Sequence, residues 1–304
     1  RQRQMCIRDS VTIHPSGTDR KDQSMVATKV PKRRVFKIRN PYVLAVANQK
    51  GGVAKTTSSG CLAAELGRRG NSVLLIDFDP QGNLGLWYDV DLADDDKTIR
   101  EVVLDNVAWE DAIIERPHFD LVPSDEYLVD VEVHAMTRPA ISNFFLANAL
   151  KRLKKRYDFV IIDCPPSPGV MTVNALAAAN QVIVPMAPSK FSEEGVKKLG
   201  EIISQVKDRA NSDLEEIGVF FTKVDTRTAI SKTTRENMEK TSAILGIPLL
   251  ETTIRPSVKV DEAQGEGMDL IDYPAAEKQA QDYENLVSEL YDMGVWRKRG
   301  QKNG

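Results

Sequence analysis

Cysteine is scarce in this chain of 304 residues: Cys6, Cys61 and Cys164 are the only three. They share no metal-ligand spacing and form no even set, so neither a cysteine metal site nor a disulfide-stapled scaffold is expected, and the chain reads as cytosolic. No stretch of eighteen uninterrupted apolar residues occurs, which excludes a simple membrane-spanning helix. An excess of one charge is also missing, with 41 Lys and Arg against 44 Asp and Glu. A globally basic nucleic-acid binder is therefore excluded, although local basic patches are not. No repeat, low-complexity block or Pro/Gly/Ser linker divides the region after residue 40. A single domain large enough to bury a substantial core is the simplest expectation.

The charge is unevenly spread. Residues 1–40 carry 11 basic and 3 acidic side chains, and the remainder is acidic. Residues 1–24 show no apolar periodicity and no signal-peptide pattern. Their run from Met5 to Ser10 resembles a translated sequencing adapter, which makes Met25 the expected start. Residues 25–40 contain six basic residues and no acid. They are expected to be a disordered leader, either merely solvated or acting as an arm that touches nucleic acid or an acidic partner.

From Tyr42 onward, short apolar runs alternate with amphipathic stretches, the pattern of a mostly parallel twisted sheet covered by helices on both faces. Strands are expected at 43–47, 73–76, 119–122, 159–162, 181–185 and 217–221. Helices are expected at 55–69, 143–157, 193–208, 232–245 and 275–293. The domain is placed at 41–294, with 295–304 as a basic flexible tail.

The most informative segment is Asn48-Gln-Lys-Gly-Gly-Val-Ala-Lys-Thr-Thr57, between the first strand and the first helix. A strand, a small-residue loop and a helix N-terminus make a phosphate cradle, because unpaired N–H groups face an anion. Gly51 and Gly52 let the backbone approach phosphates closely, Lys55 can reach the β- and γ-phosphates, and the Thr56 hydroxyl suits Mg²⁺. Val53, Ala54 and Thr57 complete the cradle. Ala54 stands where most such loops have glycine; a positive φ there would cost on the order of 1 kcal/mol.

Lys50-Gly-Gly-Val-x-Lys55-Thr-Thr resembles the deviant Walker A loop of the ParA/MinD group of partitioning and positioning ATPases. Asn48-Gln49 before it and Asp77-Phe-Asp79-Pro-Gln-Gly-Asn83 after it are similar to the ParA branch. The likeness extends from about Tyr42 to Met293. It implies a P-loop NTPase fold and a magnesium-dependent ATPase that converts ATP and water to ADP and phosphate. By the same resemblance, Lys50 crosses an ATP-dependent homodimer to the partner's phosphates. Asp79 orients the attacking water, while Asp77 supports the loop and the Mg²⁺ shell. Val160-Ile-Ile-Asp163-Cys-Pro-Pro166 looks like a Walker B strand and switch, with Asp163 holding Mg²⁺ through water. Asp225, in Phe221-Thr-Lys-Val-Asp225, lies where relatives hold the purine. Arg255-Pro256 and Met186-Ala-Pro188 are further candidates for framing the base.

The resemblance also implies non-specific binding to double-stranded DNA in the ATP state, on the nucleoid, and release by a ParB-like adaptor that stimulates hydrolysis. Arg227, Lys232, Arg235 and Lys240, with Lys197 and Lys198 on another helix, are the candidate DNA contacts. Their spacing does not put them all on one face. A MinD-like or protein-cargo positioning ATPase is the alternative. Membrane attachment is not expected, because the 275–293 helix opposes its apolar stripe with an acidic face.

Overall fold

The computed structural model describes residues 41–189, 192–225 and 229–297. Both segments before residue 41, and Arg227, lie outside the described residues. Eight strands form one sheet: β1 (Tyr42–Val46), β2 (Val73–Asp77), β3 (Ile114–Glu115), β4 (Asp120–Val122), β5 (Phe159–Asp163), β6 (Gln181–Met186), β7 (Glu215–Phe221) and β8 (Leu249–Thr253). Their order is β3-β4-β2-β5-β1-β6-β7-β8, and every pair is parallel except β3 with β4. The expected mostly parallel sheet is present.

The central strands are buried throughout, and apolar except where β2 and β5 end in Asp77 and Asp163 and β6 begins with Gln181, because helices cover both faces. Along β1, Val43 and Ala45 enter one core, while Tyr42, Leu44 and Val46 enter the other. Helix α1 (Lys55–Arg68) follows the glycine-rich loop and packs in the second core. A Cβ at Gly67 would lie 1.8 Å from the His118 carbonyl oxygen, so a glycine there lets α1 touch the loop preceding β4. The short helices α2 (Asn83–Trp87) and α3 (Ile99–Leu104) come next. Thr98 and Glu101 form a reciprocal capping box at α3, a signal present in the sequence but not used there. Helices α4 (Asp130–Thr137), α5 (Phe145–Leu150) and α6 (Val170–Ala178) belong to the first core. So does α7 (Ser192–Arg209), through Val196, Leu199, Ile203 and Val206, and α8 (Ala229–Leu245), through Met238.

The helix expected over 143–157 ends at Leu150. Arg152 N and Leu153 N bond three residues back, and Lys155 Nζ and the Tyr157 hydroxyl both reach Asp120 Oδ2, drawing the segment to the sheet edge. Five cations in six residues also disfavour further helix. Strand β8, absent from the expectation, is an edge whose sequence Leu-Leu-Glu-Thr-Thr is largely half-exposed.

Helix α9 (Lys259–Gly265) borders the second core, and α10 (Glu277–Asp292) packs on it through Tyr283, Leu286, Val287 and Leu290. This docking was expected and leaves the apolar stripe inside the protein. No helix among the described residues is long and apolar enough to cross a membrane. Val295 and Trp296, read from sequence as the start of a loose tail, are buried instead. The Trp296 indole packs edge-on to Phe159 at 5.1 Å and donates to Gln181 Oε1 at 2.7 Å.

Candidate active site

The chain passes from β1 to β2 on one side of the sheet, and from β5 to β6 across to the other side of β1. Such a reversal opens a crevice at the carboxyl ends of the central strands. The loop of residues 47–54 lies there. Gly52 and Ala54 both take left-handed backbone, with φ of 72° and 64°, so the strain anticipated at Ala54 is present. An added Cβ at Gly51 or Gly52 would meet nothing within 4 Å, which leaves open space above the loop. Asn48 Nδ2 donates to the Pro185 carbonyl at 2.8 Å, and the Thr222 hydroxyl donates to the Val53 carbonyl at 3.0 Å. These bonds hold the loop to β6 and to the end of β7.

Lys55 is 7% exposed, and its Nζ donates to the Lys50 carbonyl at 3.3 Å. Burial pushes its pKa down, and the neighbouring Asp163, Cys164 and Asp79 oppose that shift. An ammonium drawn this far from water has a strong use for an anion.

Strand register sets Asp163 beside both Val46 and Asp77. The Thr56 hydroxyl donates to Asp163 Oδ2 at 2.7 Å, and the Ser59 hydroxyl donates to Oδ1 at 2.9 Å. Burial raises the Asp163 pKa to about 6, against the lowering effect of those two hydroxyls and of Lys55. Asp77 is raised well above the carboxylate range, first by burial and then by Asp163. Its oxygens accept from the amides of Asp79 at 3.1 Å and Leu84 at 2.9 Å. Of its two expected roles, loop support is the one these contacts display. Asp79 accepts from the Gln81 amide at 3.1 Å, and its carbonyl accepts from the Ser124 hydroxyl.

Gly51, Gly52, Lys55, Thr56 and Asp79 line one cleft of about 570 Å³. An adjoining cavity of about 460 Å³ is lined by Ile254, Arg255, Pro256, Val258 and Tyr283. The Arg255 guanidinium is tied to Asp282, with Nε at 2.8 Å and Nη2 at 2.7 Å. Asp225 lines neither cavity. Met186 is not beside Arg255; it lines a separate cavity with Asn48 and Lys50, across the loop. Lys50 itself does not line the cleft that holds Lys55: it is exposed, and its Nζ donates to Ser189 Oγ at 2.8 Å. The oxygens of Thr56 and Asp163 are hard donors of the kind Mg²⁺ takes, so the residues present fit that ion.

A family profile described as an AAA domain matches residues 42–216. The sporulation initiation inhibitor protein Soj of Bacillus subtilis is 34% identical over 251 residues, covering 82% of this chain and 97% of that protein. The chromosome-partitioning ATPase Soj of Treponema pallidum is 36% identical over 253 residues, covering 81% and 96%. The chain belongs to the ParA/Soj family of P-loop ATPases. Among solved structures, cobyrinic acid a,c-diamide synthase from Mycobacterium smegmatis with bound ADP and magnesium is 32% identical. It superposes with a TM-score of 0.70, covering 86% of this chain and 99% of that one.

In this ParA-family chain the expected DNA contacts within the described residues differ in how free their charges are. Lys232 and Lys240 are exposed on α8, whereas Arg235 is held by Glu251 at 2.7 Å and Glu239 at 3.6 Å. On α7, Lys197 is exposed and Lys198 pairs with Glu194 at 2.8 Å. Several residues of the site escaped the sequence reading. Ser59 sits one helical turn after Lys55, a spacing that puts it on the same face, and this was the available signal. Lys223 and Asp261, which also line the cleft, carry no such local signal.

Proposed function

We propose that this chain is an ATP-dependent partitioning ATPase that dimerises on ATP, binds DNA non-specifically on the nucleoid and is released when a ParB-like adaptor stimulates hydrolysis. The observation that carries the reading is the convergence of Lys55, Thr56 and Asp79 on one open cleft above a glycine-rich loop, with buried Asp163 accepting from the Thr56 hydroxyl. Lys55 neutralises phosphate charge, and the loop amides orient the β- and γ-phosphates. Thr56 and Asp163 would hold Mg²⁺, which when bound neutralises charge developing on the transferred phosphoryl group. Asp79 orients the attacking water, and its carbonyl bond to Ser124 fixes the backbone that presents it. Lys50, exposed and outside its own cleft, would serve a second copy's nucleotide, so that charge neutralisation depends on dimerisation. Lys197, Lys232 and Lys240 are the exposed cations best suited to DNA phosphates. The name of the Treponema pallidum relative supports partitioning of chromosomal DNA as the task.

The test is phosphate release with ATP, Mg²⁺, DNA and adaptor, beside nucleotide and DNA binding. Lys55→Ala is expected to abolish ATP binding. Asp79→Ala is expected to bind ATP and stay on DNA without turning over; sustained turnover would remove Asp79 from its role. DNA affinity is expected to fall by orders of magnitude as salt rises, and a flat response would exclude phosphate contacts.

A further inference from the structure

The cleft and the adjoining cavity share four lining residues, Ala54, Thr57, Lys223 and Asp261. A nucleoside triphosphate with its phosphates over the loop and its base beside Pro256 must lay its sugar across these four. Lys223 is fixed from both sides. Thr222 before it donates its hydroxyl to Val53 and its amide to Met186, the latter at 2.9 Å, while Val224 after it donates to the Ile254 carbonyl at 3.0 Å. Lys223 itself takes left-handed backbone, with φ of 54°. Asp261 lies in the first turn of α9. Among the described residues neither side chain has a hydrogen-bond or ion-pair partner, although adjacent Lys259 and Glu262 pair with each other at 2.7 Å. An ionised carboxylate only accepts hydrogen bonds, so it has no complement among phosphate oxygens, whereas the two ribose hydroxyls are donors side by side. An ammonium only donates, and the phosphate nearest the sugar is its natural complement.

We propose that Asp261 is the ribose-recognition residue of this site, accepting from the 2′- and 3′-hydroxyls, and that Lys223 binds the α-phosphate beside it. The proposal rests on the ATP-binding reading above. It is tested by measuring the affinities of the full chain and of Asp261→Ala, Asp261→Asn and Lys223→Ala for ATP, ADP, 2′-deoxy-ATP, 2′,3′-dideoxy-ATP and GTP. The unaltered chain is expected to bind ATP about tenfold more tightly than the dideoxy analogue. Asp261→Ala is expected to erase that preference by losing ATP affinity while keeping dideoxy-ATP affinity, and Asp261→Asn to reduce it. Lys223→Ala is expected to weaken ATP and ADP by equal factors and to leave the sugar preference intact. A preference that survives Asp261→Ala, a change in ATP-versus-GTP choice in its place, or an unaltered chain indifferent to the sugar would overturn the assignment while leaving ATP binding standing. Failure of the unaltered chain to bind any of the five nucleotides would overturn the ATP reading and this assignment together.

Discussion

Asp163 and Asp77 stand on neighbouring strands, both fully buried, and burial raises the affinity of each for a proton; Asp163 adds to the effect on Asp77, and Asp79 adds to that on Asp163. For Asp163 the folded state holds the proton up to about pH 6, above the unfolded value of 3.8. Between those values the native form carries more protons than the unfolded chain, so stability declines as pH rises through the window, and the cost of the buried charge is complete above it. Asp77 shifts in the same direction and adds to the slope. In chelator without nucleotide, the melting temperature is expected to fall by roughly 5 °C across this window. Asp163→Asn is expected to flatten the slope and to melt higher at pH 7 than the unaltered chain. Ala54 offers a second test at this scale. Glycine takes φ of 64° without the Cβ clash, so Ala54→Gly is expected to raise ligand-free stability by about 0.5–1 kcal/mol, read from the urea midpoint. Lys55, Thr56 and Asp163 were legible because strand, loop and helix lie together in the sequence. Lys223 and Asp261 were not, since their meeting depends on a fold that joins β7 and α9 over the phosphate loop.

Helix α10 and the residues after it show how an element's packing decides its role. The spacing of Tyr283, Leu286, Val287 and Leu290 announced a docked helix, and those residues are buried as expected. Trp296 gave no periodic signal, because its environment is made largely by Phe159 and Gln181 from distant parts of the chain, with nearby Tyr291 beside them. Trp296→Ala is expected to destabilise by about 3–5 kcal/mol in denaturant titration. Trp296→Phe, which keeps most apolar contact but leaves Gln181 Oε1 without the indole donor, should cost about 1–2 kcal/mol. A neutral outcome for both would return this segment to the status of a tail. Helix α5 teaches the complementary lesson. Its continuation to residue 157 looked plausible from composition, yet the side chains of Lys155 and Tyr157 belong to Asp120 on β4, a long-range demand that local pattern does not contain.

At the scale of the molecule, the sheet's alternation of strands and helices was readable because its central strands are mostly apolar runs. The two edge strands escaped because β3 is two residues long and β8 is half polar. The crevice at the carboxyl ends of the strands gathers the charged chemistry, and Lys50 does not line the cleft that holds Lys55. Lys50→Ala is therefore expected to leave ATP affinity within about threefold while preventing the mass from doubling with ATP. Sedimentation in the Asp79→Ala background, where hydrolysis does not drain the ATP state, is the measurement, and normal doubling would refute a role in trans.

The opposite rim of the sheet has a different character. Tyr42 stacks on Phe159 and Phe159 meets Trp296, so the first strand and the segment after α10 share one aromatic cluster. The start of β1 and Trp296 therefore meet at the amino ends of the central strands, away from the cleft. Splicing residue 297 to residue 41 through a short linker, and reopening the backbone in the exposed turn at residues 138–141, should yield a circular permutant that still folds and still binds nucleotide.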